Sequence, residues 1–183
     1  ADEVGGDYYD TIRINENKVA LIIADVSGKG TTAAFHMSQM KGIFHSLAQQ
    51  ELEPTEFMVR ANQALVFCLE RGSFISAIYF VVDTANKTVT YCRAGHCPVL
   101  YYHGDTDSSE YFKDKGAALG MVKNKSYCKM IEVNSFGYKT GDIMVLYTDG
   151  ITEANDNKGE EFGYDRLQQT LMEVRQKSAK EIQ

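Results

Sequence analysis

The sequence contains no tryptophan, only two prolines and no long apolar stretch. The scarcity of proline excludes collagen-like and proline-rich chains, which depend on that residue. The longest continuous apolar stretch, residues 19–24, is far shorter than the roughly 20 residues that a helix needs to cross a bilayer. No secretory signal precedes it, so we expect a cytoplasmic protein without membrane contact.

Positive charge is also in short supply. The chain has 19 Lys and Arg residues against 25 Asp and Glu, which gives a net charge of −6. Nucleic acids and anionic membranes both require a basic face, so we expect neither as the main partner. The composition is otherwise that of a globular protein, with 44% hydrophobic and 24% charged residues. A chain of 183 residues can fold as one domain without a disulfide or a structural metal.

Cysteine is sparse, and its spacing matches no known framework. The four cysteines are Cys68, Cys92, Cys97 and Cys128, and they form neither a CxxC pair nor a zinc-binding pattern with histidine. None of them is followed by five residues and an arginine, which excludes the loop of cysteine-dependent phosphatases. We therefore expect buried thiols in a reducing compartment.

Apolar periodicity predicts two strands, two helices, at least five strands and a last helix. The strands are predicted at residues 8–14, 19–24, 75–82, 89–93, 99–103, 130–133 and 143–148. The helices are predicted at residues 31–50, 54–71 and 164–177, and residues 103–110 are predicted to form an exposed loop. Because the order lacks the alternating rhythm of a parallel sheet, it favours an α+β fold with antiparallel sheets and outer helices.

Three aspartates lie at the tips of predicted strands, beside turns that contain glycine: Asp7, Asp25 and Asp149. A carboxylate in such a place is costly to bury unless it meets a cation or a hydrogen-bond donor. Oxygen ligands without Cys or His nearby favour Mg²⁺ or Mn²⁺ over Zn²⁺. The alternative is that each carboxylate caps a turn or a helix, the commoner role of a single aspartate. The spacing alone leaves both possibilities open.

Two glycine-rich patterns imitate nucleotide-binding loops. The segment Gly28-Lys29-Gly30 lacks the glycine that a phosphate-binding loop needs at Ile23, and Gly30 occupies the place of its Ser or Thr. A dinucleotide-binding unit would need a parallel strand after the first helix, where a second helix is predicted. The sequence therefore argues against both kinds of nucleotide site.

Five motifs that follow one another in order carry a family resemblance. They are Val4-Gly5-Gly6-Asp7-Tyr8-Tyr9-Asp10, Ala24-Asp25-Val26-Ser27-Gly28-Lys29-Gly30, Ala94-Gly95-His96, Leu119-Gly120, and Gly141-Asp142 followed by Tyr147-Thr148-Asp149-Gly150-Ile151-Thr152-Glu153-Ala154. Each motif is weak alone, but the five in order are specific and extend over almost the whole chain. The chain resembles the bacterial SpoIIE/RsbU-type branch of the metal-dependent PPM (phosphatase 2C-like) serine/threonine phosphatases.

This resemblance implies a PPM-type β-sandwich of two mainly antiparallel sheets flanked by helices, in four αββα layers. It also implies a site for two Mn²⁺ or Mg²⁺ ions. Asp7 would bind one ion, Asp25 would bridge both, the main-chain carbonyl of Val26 would join the first site, and Asp149 would bind the second ion. A hydroxide bridging the metals would attack phosphoserine or phosphothreonine in line, so Asp25 and Asp149 would serve catalysis directly.

The resemblance also implies partners. In this branch the usual substrate is a phosphorylated STAS-type anti-sigma-factor antagonist, and the phosphatase is the output of a chain with a fused or associated sensor domain; a homodimer is possible. We expect residues 1–183 to be a single phosphatase domain, excised from a longer chain. The family commonly ends with an Asp-Asp-x-Thr strand that completes the metal shell, and the chain stops at Gln183 before any such motif, so we expect that edge strand to be missing.

That departure keeps an alternative function open: a catalytically impaired PPM-fold scaffold that binds a partner protein. A phosphoesterase for small molecules is disfavoured by the missing nucleotide loops and the acidic net charge. Arg93 replaces the asparagine that usually precedes Ala-Gly-His. It could contact phosphate or substrate or pair with a surface carboxylate, and we favour the second role. Ser27 replaces the histidine of classical eukaryotic-type members, which leaves the proton donor open. We expect His96 to have a structural role, and His36 and His45 only to pack or to face water.

Overall fold

The computed structural model describes residues 5–123 and 125–183. Val4 of the first motif lies outside these residues. The strands are β1 (Tyr8–Arg13), β2 (Lys18–Val26), β3 (Ile75–Asp83), β4 (Thr88–Ala94), β5 (Val99–His103), β6 (Ser108–Phe112), β7 (Val133–Gly137) and β8 (Ile143–Val145). The helices are α1 (Gly30–Ala48), α2 (Pro54–Leu65), α3 (Asp149–Thr152), α4 (Gly163–Val174) and α5 (Ala179–Ile182), and a 3₁₀ helix covers Lys125–Met130.

The chain divides into two compact units. The first unit comprises the described part of Ala1–His96 together with Asp114–Tyr138. The second unit comprises Cys97–Lys113 and Lys139–Gln183. The α+β prediction is confirmed, because each unit combines an antiparallel sheet with helices.

The sheet of the first unit has five antiparallel strands in the order β1-β2-β3-β4-β7. The apolar strand β2 lies inside this sheet, and its alternate residues Ala20, Ile22 and Ala24 belong to one core cluster with buried residues of α1 and α2. Phe57 of α2 stacks on Tyr79 of β3 with ring centroids 3.7 Å apart. Burial of an aromatic side chain of this size contributes about 1.5–3 kcal/mol, so this cluster holds both helices on the sheet.

The sheet of the second unit has three antiparallel strands in the order β6-β5-β8. Leu100 and Tyr102 of the central strand form a small core with Tyr147 and with Leu171 of α4. Arg175, the residue after α4, bonds the carboxylate of Asp107 in the β5–β6 turn at 2.6 Å. These contacts hold α4 against the hairpin.

Two predictions are wrong, a loop at residues 103–110 and a strand at residues 130–133, and both concern edge strands. Residues 103–110 are not a loop, because the chain turns at residues 104–107 and then forms β6. The strand expected at residues 130–133 begins at Val133 instead and pairs with β4. That pairing brings Phe136 edge-on to Tyr91, with ring centroids 6.0 Å apart. Polar edge strands lack strong alternation, so tertiary pairing decides their bounds.

Helix α2 ends at Leu65, although its apolar pattern predicts a helix to residue 71. The main-chain N–H groups of Cys68 and Leu69 both donate to the carbonyl of Leu65, so the chain tightens into a turn there. The expectation of buried thiols is wrong for Cys68, which lies in this turn, and for Cys128, because both are exposed. Cys92 of β4 is fully buried, as expected.

No helix in the described ranges is long and apolar enough to span a bilayer.

Candidate active site

Asp7 precedes the first residue of β1, and Asp25 lies near the last residue of β2, at the same end of the β1–β2 pair. The register joins Tyr8 to Ala24, so the next position outward places Asp7 opposite Asp25 and the following one places Gly6 opposite Val26. The packing agrees with this extension, because a Cβ on Gly6 would lie 2.9 Å from the Val26 carbonyl oxygen. The extended register therefore places the backbone positions of three of the four predicted metal ligands, Asp7, Asp25 and Val26, at one end of the pair.

The loop that follows Val26 is held by a two-way bond to the chain before β3. The Ser27 N–H donates to the Phe74 carbonyl at 3.0 Å, and the Phe74 N–H donates to Ser27 Oγ at 2.9 Å. Gly28 has a φ of 96°, in the left-handed region that glycine adopts at little cost. A Cβ on Gly28 would meet no atom within 4 Å, so the backbone angle, rather than crowding, favours glycine there.

On the neighbouring strand, a serine that pairs with Asp25 contacts a buried histidine. Ser76 of β3 pairs with Asp25 in the sheet register. Its Oγ lies 2.8 Å from His96 Nδ1 and 3.5 Å from the Asp25 carbonyl oxygen. His96 is only 2% exposed. This contact agrees with the structural role expected for His96, whereas the sequence did not indicate its partner Ser76.

Asp149 lies in the second unit, where it is the first residue of the short helix α3. Its side chain is exposed, and its main-chain carbonyl accepts the N–H of Glu153 at 2.8 Å. Strand β8 ends at Val145, earlier than predicted, so Asp149 follows a short connection rather than the strand itself. Its role as a ligand of a second ion stays a prediction.

The three candidate ligands offer only oxygen donors to a metal ion. Asp7 is exposed, Asp25 is half-buried, and the Val26 carbonyl adds a third oxygen. Hard oxygen donors of this kind suit Mg²⁺ or Mn²⁺, so these residues fit such an ion. In residues 5–123 and 125–183 no group of three or more His, Cys, Asp or Glu side chains is arranged to hold a metal.

Among residues 5–123 and 125–183, Arg93 forms a hydrogen bond to a main-chain carbonyl and no ion pair with a surface carboxylate, contrary to the expectation. Its Nη1 donates to the main-chain carbonyl of Asp114 at 2.5 Å. The Asp114 carboxylate instead accepts the hydroxyl of Tyr91. Gly116 passes so close to this strand that a Cβ on it would lie 1.7 Å from the Arg93 carbonyl oxygen. Arg93 therefore helps to hold the segment from Asp114 to Gly116 against β4.

Most of the chain matches a known protein family and several solved structures. The sequence pattern of the SpoIIE family, Stage II sporulation protein E, matches residues 15–183. The chain belongs to the SpoIIE family. The chain is 30% identical over 159 residues to the phosphoserine phosphatase RsbU of Bacillus subtilis. The aligned region covers 87% of this chain and 46% of RsbU. The chain therefore spans less than half the length of that relative.

Solved structures show the fold of this SpoIIE-family chain. The RsbU and RsbW domains of a Mycobacterium tuberculosis protein match 94% of this chain and 46% of that one, with a TM-score of 0.80 and 22% identity. The PP2C phosphatase domain of SpoIIE from Bacillus subtilis matches 91% of this chain and 47% of that one, with a TM-score of 0.75 and 19% identity. The family match confirms the predicted SpoIIE-type family, and these structures confirm the α+β fold.

Proposed function

We propose that this SpoIIE-family domain hydrolyses phosphoserine or phosphothreonine on a regulatory protein and uses two Mn²⁺ or Mg²⁺ ions. The observation that supports the proposal is the β1–β2 register, because its extension puts the positions of Asp7, Asp25 and Val26 at one end of the pair. Family membership supports the reaction, because the relative RsbU is named a phosphoserine phosphatase. That Asp25 would bind both ions is part of the proposal.

In this proposal Asp7 and Val26 would hold the first ion, Asp149 would hold the second, and Asp25 would bind both. When bound, the ions would supply positive charge that activates a water molecule and stabilises the charge that develops on the phosphoryl group. The bonds between Ser27 and Phe74 keep the Val26 carbonyl oriented before any ion arrives. Such preorganisation avoids a reorganisation cost during the reaction.

The proposed substrate is a phosphorylated STAS-type antagonist, and the proposed context is a longer cytoplasmic protein with a sensor domain. Both come from the family resemblance. The net charge of −6 supports a protein substrate over nucleic acid, because a phosphate backbone binds basic surfaces.

Hydrolysis of a phosphoserine protein tests this function, with Mn²⁺, with Mg²⁺ and with EDTA. We expect turnover only with a metal, and Asp25→Asn should lower it more than about 100-fold, since even the partners of metal ligands affect activity 10–100-fold. Asp83→Asn is the matched control, because Asp83 lies at the opposite end of β3 from Ser76, which pairs with Asp25. Equal turnover in wild type and Asp25→Asn would overturn the proposal.

A second candidate function is a regulatory scaffold that binds a partner protein without turnover. One observation favours it, namely that the described residues contain no group of three metal-binding side chains. The same assay separates the two functions. A folded chain that binds the phosphoprotein but releases no phosphate with either metal would support the scaffold.

A further inference from the structure

Three side chains connect the edge strand β1 to helix α1 through a single carboxylate. The Tyr8 hydroxyl donates to Asp10 Oδ2 at 2.9 Å, and His45 Nε2 lies 2.8 Å from the same oxygen. The other oxygen, Oδ1, accepts the Thr11 N–H at 2.8 Å. Because both oxygens of Asp10 are engaged, its side chain is held in one orientation. We call Tyr8, Asp10 and His45 the β1–α1 tie.

The tie lies at the border of the core. Tyr8 is only 6% exposed, and its ring meets the edge of the buried Phe44 with centroids 6.3 Å apart. The side chains of Asp10 and His45 are 26% and 45% exposed. Partial burial raises the pKa of Asp10, but the hydrogen bonds from His45 and Tyr8 outweigh it and keep that pKa below its usual range. Asp10 is therefore ionised at neutral pH and accepts both bonds.

Strand β1 needs such a tie because of its place in the sheet. It is the edge strand of the first unit and pairs with β2 on one side. Asp7 directly precedes Tyr8, so the position of this predicted ligand depends on how firmly the start of β1 is held. The backbone bonds to β2 fix the strand on one side, and the tie fixes the Tyr8 and Asp10 side chains on the face that packs on α1.

Helix α1 is tied to the other predicted ligands through the chain itself. It begins at Gly30, directly after the loop that follows Asp25 and Val26. His45 lies about 22 Å further along the helix, at 1.5 Å per residue. The chain runs from Asp7 through β1 and β2 into α1. The bond from His45 to Asp10 then links α1 back to β1. This bond therefore fixes how α1 is rotated about its axis and where it lies along β1, the strand that follows Asp7.

We propose that His45 is a positioning residue: through Asp10 and Tyr8 it holds the start of β1 and thereby sets Asp7 beside Asp25 for metal binding. This inference rests on the proposed function, since it assigns Asp7 and Asp25 to the metal. His45 contacts Asp10 rather than the ion, so it acts on metal affinity by restricting Asp7. The sequence expectation that His45 only packs or faces water is therefore wrong.

Manganese binding, measured by the electron paramagnetic resonance of free Mn²⁺, tests this role without turnover. His45→Ala should weaken Mn²⁺ binding by up to about 10-fold, because His45 acts one contact further away than a direct partner of a metal ligand, whose loss costs about 10–100-fold. His45→Gln keeps a hydrogen-bond donor for Asp10 and should recover most of the affinity. Saturating Mn²⁺ should restore kcat to His45→Ala, which would not happen if the substitution merely loosened the fold.

The matched control is His103→Ala. His103 Nε2 also lies 2.8 Å from a carboxylate oxygen, that of Glu110, but the pair joins β5 to β6 in a hairpin that carries no predicted ligand. Its Mn²⁺ affinity should equal that of the wild type. Unchanged Mn²⁺ binding in His45→Ala, or an equal loss in His103→Ala, would overturn the positioning role alone. Absence of Mn²⁺ binding in the wild type would overturn the metal site and this role with it.

Discussion

Gly6 packs directly against Val26, so closely that a Cβ on Gly6 would lie 2.9 Å from the Val26 carbonyl oxygen and 3.0 Å from the Val26 Cβ. Protein interiors are packed too densely to absorb such an overlap without a shift of the backbone. Val26 follows Asp25, and Gly6 precedes Asp7. A shift at this contact would therefore move both predicted carboxylate ligands and the predicted carbonyl ligand together.

Replacing Gly6 with alanine tests this contact. We expect Gly6→Ala to lower the free energy of unfolding by about 1–3 kcal/mol, the usual cost of overpacking. Mn²⁺ binding and phosphatase turnover should fall as well, because the strand ends separate. Gly5→Ala is the control, since a Cβ on Gly5 would come no closer than 3.9 Å to any atom outside its neighbours. Urea unfolding that gives equal values for both variants would contradict the account.

The Tyr79 hydroxyl is a polar group without a hydrogen-bond partner among the described residues. Its ring stacks on Phe57, and Phe would keep that stack. We expect Tyr79→Phe to leave the free energy of unfolding unchanged or to raise it by about 1 kcal/mol, since an unpaired buried hydroxyl costs about that much. Tyr127→Phe should instead lower it by about 1 kcal/mol, because the Tyr127 hydroxyl donates to the Ala117 carbonyl at 2.9 Å. Chemical denaturation of both variants decides the matter.

The same tyrosine predicts a weakening of the fold at alkaline pH. Burial, with a smaller effect of the Glu53 charge, raises the pKa of Tyr79 to about 12 from the ordinary value of 10.0. The fold therefore favours the neutral phenol, and this stabilisation is complete below pH 10 and is lost as the pH rises through 12. In Tyr79→Phe the free energy of unfolding should fall less steeply over that range. An identical slope in wild type and variant would show that Tyr79 does not contribute.

Asp10 should contribute to a loss of stability at acidic pH. Its pKa in the folded protein lies below the ordinary value of 3.8, because the bonds from His45 and Tyr8 outweigh the effect of partial burial. Its contribution to stability is therefore present above about pH 4 and is lost as the pH falls through the lowered pKa. Asp10→Asn should flatten the decline of the unfolding free energy below that pH. A decline as steep as that of the wild type, measured by urea titrations at pH 3–6, would refute it.

The cysteines offer a simple check of the fold. Cys68 and Cys128 are exposed, whereas Cys92 is fully buried, and burial raises the pKa of its thiol to about 12. Thiolates are the reactive form, so a disulfide reagent at neutral pH should modify Cys68 and Cys128 rapidly and Cys92 only after unfolding. Cys68→Ser should remove one rapid equivalent. Rapid labelling of Cys92 in the native protein would contradict the placement of β4.

The local hydrophobic pattern predicted the elements whose burial is regular. Strands β1 and β2, helix α1 and strand β5 begin and end within about two residues of their predicted bounds, which is the usual uncertainty of such ends. The pattern failed at β6 and β7, because both are edge strands with few buried residues. It also ran past Leu65, where the exposed Phe67 continues the apolar spacing but lies in a turn.

In the candidate site too, the sequence predicted some features and the tertiary structure decided others. The residue types at positions 7, 25 and 149, and the order of the motifs around them, were sufficient to predict oxygen ligands and the family. Tertiary structure alone decided that Gly6 meets Val26, that Ser76 supports Asp25, and that His45 reaches Asp10 across 35 positions of sequence. Strand register and helix packing bring such pairs together, and the residues that neighbour each partner in the sequence do not indicate the contact. The family could therefore be recognised from the sequence, whereas the contacts around the candidate site depend on how the sheet and helices assemble.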